Sequence, residues 1–154
     1  MVSSDPIAHY VRMALVFWAM VPQAPVETID PYVKRLDGCW RVVSREFQGR
    51  EIVSPTPLPE EILQFDGDCY FRISDNKVFA RGTYEVDSRN DPVELDIHHE
   101  TGIRPGVSQK GVLRLNGETL VIAFNPVSVP SRPTGVETDE MTTHATTTYV
   151  RVKR

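Results

Sequence analysis

His98-His99-Glu100 is the group of side chains best equipped for chemistry in this sequence. It follows Val93, Leu95 and Ile97, which alternate with Glu94, Asp96 and His98 as a half-buried strand does. Successive strand residues point to opposite faces. Asp96, His98 and Glu100 therefore share one face, and His99 turns the other way with Ile97. One imidazole between two carboxylates suits zinc or a similar ion. No second ligand pair at metal spacing occurs elsewhere, so this face reads better as the polar exterior of a strand running into a loop. His144, at the head of the last expected strand, could ligate a haem iron inside a barrel. Without an accompanying motif it reads instead as a solvent-exposed strand-end histidine.

Other chemistries find less support. No Gly-x-Ser-x-Gly elbow presents a nucleophile, and no glycine-rich loop is built to cradle phosphate. Glu60-Glu61 and Asp139-Glu140 fall in expected loops and read as solubilising charge. The chain is thus read as non-enzymatic, with no cofactor. Its formal net charge of -4 opposes nucleic-acid binding, which needs a basic face to displace counterions. Arg151, Lys153 and Arg154 are too few to change that and read as a solvated strand edge.

A length of 154 residues suits one domain, and 40% hydrophobic residues suffice for a sizeable core. The apolar run 13–21 follows Arg12 and precedes Pro22-Gln23-Ala24-Pro25, the layout of a secretory signal peptide. Asp5 and Pro22 depart from that layout; the alternative is a short N-terminal helix. The run is apolar on every face, which favours export over an amphipathic helix. It is also far shorter than the roughly 18 residues of a membrane-spanning helix. The expected division is a signal peptide or N-terminal helix over 1–26 and a barrel domain over 27–154, in a secreted or periplasmic, envelope-associated protein. Cys39 and Cys69 each stand near the start of an expected strand. They could form a disulfide in an oxidising compartment; otherwise they are two reduced thiols.

The elements that must position these residues are mostly strands. Asp30 can cap a helical turn over 31–36, with Pro31 at the first helical position, where its missing N–H costs nothing. Strands are expected over 40–47, 50–53, 62–65, 69–74, 77–86, 93–98, 110–115, 119–125 and 143–153. Asp66-Gly67-Asp68, Asp75-Asn76 and Asn116-Gly117-Glu118 mark tight hairpins. Gly82, inside an alternating strand, predicts a bulge or sharp bend. The proline-rich segment 54–59 and the stretch 126–139 are expected loops. Short turns imply antiparallel neighbours, and closure removes exposed edges. The fold expected is an all-β, antiparallel up-and-down barrel of about eight strands with a short N-terminal helical segment.

Leu36-Asp37-Gly38-Cys39-Trp40-Arg41-Val42-Val43 resembles the opening of an uncharacterised lipocalin-like domain family abundant in planctomycete bacteria. Four further pieces follow in the same order: 58–68, Gly82-Thr83-Tyr84-Glu85-Val86-Asp87, the hairpin over 111–120, and Arg132-Pro133-Thr134. The resemblance spans roughly residues 36–154 and implies a lipocalin-like barrel. It implies no activity, substrate or catalytic residue. Cys39 stands where that family carries threonine. In the wider lipocalin-like group a first-strand tryptophan packs at the closed end, beneath a basic side chain from the last strand. Here that implies Gly38 and Trp40 at the plugged end, with Arg151 or Lys153 above the ring. Two functions remain in view. One is a hollow barrel holding a small apolar or amphipathic ligand. The other is a filled barrel that binds an envelope protein through residues 54–60 and 126–140.

Overall fold

The computed structural model describes residue 24, residues 28–102 and residues 104–153. The apolar run 13–21, and nearly all of the expected signal peptide or helix over 1–26, lie outside the described residues. Among the described residues, one helix, α1 (Pro31–Leu36), precedes nine strands. These are β1 (Gly38–Phe47), β2 (Arg50–Glu51), β3 (Glu61–Asp66), β4 (Cys69–Ser74), β5 (Lys77–Asp87), β6 (Val93–Thr101), β7 (Ser108–Asn116), β8 (Thr119–Phe124) and β9 (Ala145–Arg151). Every pairing is antiparallel, and sheet order follows chain order from β3 to β9. Strand β1 then pairs with both β3 and β9, which closes an eight-stranded barrel. Strand β2 stays outside the cylinder as a short flap on the end of β1. No helix among the described residues is long and apolar enough to cross a membrane.

Local sequence explains the hairpins. Asp75 and Asn76 both adopt positive φ, 50° and 58°, which matches the twist of the flanking strands. Alternation then sorts the faces. Leu63, Phe65, Tyr70, Tyr84, Leu95, Leu113, Leu120 and Ile122 point inward and form one continuous core. Strand β1 breaks its own alternation. A bulge between Val42 and Ser44 adds one residue, so Trp40 and Arg45 both face inward although an odd number of positions separates them. The register also shifts opposite Arg81 and Gly82, but there the extra residue is Glu100 of β6; the extra residue in the Gly82 strand itself is Phe79.

Helix α1 covers one end of the barrel. Asp30 caps it by accepting from the Tyr32 N–H at 2.8 Å, and its carboxylate also accepts from the N–H and hydroxyl of Ser88. That ties the helix to the turn after β5. Leu36 and Trp40 are completely buried beneath it, and the Trp40 indole N–H donates to the Leu36 carbonyl at 2.7 Å. The Arg151 guanidinium lies 4.1 Å from the centre of the Trp40 ring. It also donates to the carbonyls of Asp37 at 2.8 Å and Arg35 at 2.5 Å. These are carbonyls that the end of α1 leaves without helical partners. Gly38 sits at φ 115°, and a Cβ there would come within 3.2 Å of the guanidinium. Lys153 lies two residues past the end of β9 and is exposed.

Arg151 therefore joins a cation–π contact to two charged hydrogen bonds at the plug. Arg151→Met should lower unfolding free energy by about 2–4 kcal/mol. Lys153→Met should change it by less than about 0.5 kcal/mol. Urea melts of the two variants check this; equal midpoints would remove Arg151 from the closure.

Candidate functional site

The far end of the barrel is open, and it is not filled. A cavity of about 290 Å³ lies inside it. Its deeper walls are mostly apolar, formed by Leu63, Phe65, Leu95, Ile97 and Ile122, with the Tyr149 phenol beside them. Nearer the opening stand Arg45, Phe47, Arg72, His99, Gln109, Phe124 and Thr143. Two glycines shape the wall. A Cβ on Gly82 would fall 1.8 Å from the His98 carbonyl oxygen and 2.9 Å from the Tyr70 ring. A Cβ on Gly111 would fall 2.4 Å from the Phe124 ring. Each bare backbone is thus covered by an aromatic side chain from a neighbouring strand.

A hydrogen-bonded chain crosses the wall. The Tyr70 hydroxyl and His99 Nδ1 are 2.6 Å apart, and His99 Nε2 is 3.3 Å from Gln109 Oε1. Gln109 Nε2 donates to the Asn125 carbonyl at 2.6 Å. A carbonyl can only accept, so this last bond fixes the orientation of the Gln109 amide. Gln109 then presents oxygen to His99, which places the neutral imidazole's proton on Nε2. Nδ1 is left to accept from Tyr70. Burial pushes the Tyr70 phenol above its ordinary range, partly offset by Arg72 and reinforced by Glu100. The phenol is a firm donor.

A charged cluster stands beside this chain. Glu61 Oε1 accepts from Arg72 Nε at 3.0 Å and Nη2 at 2.6 Å, while its Oε2 pairs with Arg45 Nη2. The Arg72 guanidinium also lies 4.9 Å from the centre of the Phe79 ring. Glu61 is only 18% exposed. Burial alone would raise its pKa, but the hydrogen bonds and charges of Arg72 and Arg45 outweigh that and hold it below the ordinary value. This corrects the reading of Glu61 as a solubilising loop charge: it opens β3 and faces Ser74 across β4.

The residues singled out in the sequence lie elsewhere. Asp96 and His98 share the outer face of β6, Glu100 is the extra residue where the β6 register shifts, and the three do not converge. Asp96 Oδ1 contacts Arg132 Nη1 at 2.7 Å, His98 Nδ1 meets the Ser108 hydroxyl, and Glu100 lies 3.7 Å from Arg81. Among the described residues, no three His, Cys, Asp or Glu side chains are grouped to hold a metal ion. His144 is not solvent-exposed as expected; it is 6% exposed. Residues 126–140 fold back over the barrel wall, and His144 Nε2 donates to the Glu137 carbonyl at 2.8 Å. It is not among the residues lining the cavity, so it cannot serve a haem there. Cys39 and Cys69 are both free thiols, not a disulfide. They face Gln64 and Asp66 from opposite sides of β3. Two strand spacings, about 9.5 Å, exceed the roughly 7 Å that a disulfide can bridge between Cα atoms.

Sequence reasoning missed Arg45, Glu61, Arg72 and Gln109. Strict alternation from Trp40 sends Arg45 outward, and only the bulge returns it to the interior. Comparison with protein-family models, curated proteins and solved structures finds no match for this chain.

Because Glu61 has a lower pKa folded than unfolded, its contribution is complete above the unfolded value. It is lost as pH falls through the folded one. Stability should therefore drop more steeply between pH 6 and pH 3 in the native protein than in Glu61→Gln. Urea midpoints across that range test this; parallel curves would deny Glu61 its role.

Proposed function

We propose that this protein is a non-enzymatic barrel that holds a small apolar or amphipathic molecule in its interior. One observation carries the reading: an apolar cavity of about 290 Å³ with a few converging polar groups at its open end. That combination is what small-molecule sites share. Eight strands leave room for one small ligand at most. At about 30 Å³ per water-sized atom, the space suits a molecule of roughly ten non-hydrogen atoms. With about 0.5 kcal/mol per atom, binding would reach about 5 kcal/mol, a Kd on the order of 0.2 mM.

Two further expectations belong to this proposal. The plugged end at Gly38-Cys39-Trp40 supports kinship with the lipocalin-like planctomycete domains. The apolar run 13–21 supports export to the envelope or beyond. A protein-interaction role keeps some support of its own. Val53 and Leu58, beside and within the segment 54–60, are 76% and 64% exposed. The other segment named for that role, 126–140, is instead packed on the barrel, with Val136 buried against Val112 and Ala123.

1-Octanol, of about the right size, is the direct probe. Calorimetric titration of protein shown by native mass spectrometry to carry no ligand should give one saturable site. Thr147→Phe, which fills the cavity from β9, should abolish it while the circular dichroism spectrum stays that of a folded barrel. Saturable binding that survives Thr147→Phe, or no binding to the native protein, would overturn the proposal.

A further inference from the structure

The cavity's charge is lopsided. Among the described residues, two arginines line it and no aspartate or glutamate does. The one carboxylate near them, Glu61, engages one nitrogen of Arg45 and two of Arg72. Both Nη1 groups, and Nε of Arg45, have no protein acceptor among the described residues. Glu61 is held ionised, so it offsets one guanidinium and leaves a single net positive charge. Part of the remaining polar wall is already matched: Tyr70 to His99, His99 to Gln109, Gln109 to the Asn125 carbonyl, and Thr143 to the Asn125 side chain, while Thr147 and Tyr149 add two neutral hydroxyls. The spare charged donors are therefore those of the arginine pair.

Resting on the cavity reading above, we propose that the ligand is a singly charged amphiphile, a monocarboxylate with a short hydrocarbon tail. Its carboxylate would accept from the free nitrogens of Arg45 and Arg72, and its tail would lie against Leu95, Ile122 and Tyr149. Guanidinium forks match carboxylates in planar, charge-assisted geometry. One net positive charge suits one negative charge. A dianionic head would bring its second charge against Glu61. Arg72 is further held in place by Glu61 and by the Phe79 ring, so little side-chain freedom is lost on binding.

Three probes of equal carbon number separate this inference from the one it rests on: octanoate, 1-octanol and octylammonium, titrated into the full chain at neutral pH. Octanoate should bind at least ten-fold more tightly than 1-octanol, and octylammonium more weakly than either. Raising the salt concentration should weaken octanoate alone. Arg45→Gln should bring octanoate down to the affinity of the alcohol. Equal binding of octanoate and 1-octanol to the native protein would overturn the headgroup assignment while leaving the cavity reading intact. No binding of any probe would remove both. The comparison of probes uses only the native protein, so it decides the matter even if Arg45→Gln fails to fold.

Discussion

Strand β1 has to serve two neighbours, and its solution organises the molecule. Its first four residues pair with β3, and the strand pairs with β9 along nearly its whole length. The bulge between Val42 and Ser44 lies inside that second pairing. Below it, the inward side chain is Trp40, with Arg151 of β9 laid across the ring. Above it, the inward side chains are Arg45 and Phe47, and they face the cavity. A strand without the extra residue would turn Ser44 and Glu46 inward and Arg45 outward. One inserted residue thus divides the barrel into a plugged half and a hollow half.

The plugged half could be read from the sequence because its signals are local. Asp30-Pro31 announces a helix start, Asn116-Gly117 a hairpin, and the alternation from Val93 to His98 a strand with one buried face. The structure forms each of them where expected. The tryptophan and its cationic partner were visible as residue types. The choice of Arg151 over Lys153 was not, because both have the same parity on a regular strand. It depends on where β9 stops pairing and on which side chain can reach the carbonyls of Arg35 and Asp37.

The hollow half was legible only in part. Its location opposite Trp40 followed from the barrel, and the inward turn of His99 followed from its parity with Ile97. The Arg45–Glu61–Arg72 cluster needed the bulge, which has no composition signal in Val42-Val43-Ser44. The misreading of His144 has a related cause. Val112, Ala123 and Thr146 point away from the barrel interior and would lie bare on its outer wall. Residues 126–140 cover them instead, with Val136 as the apolar contact and its carbonyl accepting from the Thr146 hydroxyl at 2.7 Å. Arg132 anchors the same segment through the Gly111 carbonyl at 2.7 Å and through Glu94 and Asp96. A run rich in proline and polar residues gives no local hint of such docking, because the matching surface is assembled from three strands. The same anchor explains why Asp96 is not free to ligate a metal.

The two halves differ in what holds them, and that difference bears on function. At the plug, cohesion comes from complete burial of Leu36 and Trp40 and from carbonyls that a helix end must satisfy somehow. Those demands are met within the chain. At the opening, walls that could have closed on themselves are kept apart. The cavity-facing residues of β9 beside Tyr149 are Thr147 and Ala145, too short to reach across the barrel. Tyr70, His99 and Gln109 satisfy one another along the wall rather than across the space. Collapse there would bury Arg45 and Arg72 with only one carboxylate between them, and the cost of an uncompensated buried charge is several kcal/mol. The excess guanidinium therefore does two things. It opposes collapse of the open half, and it leaves uncommitted charged donors at the mouth of a largely apolar space.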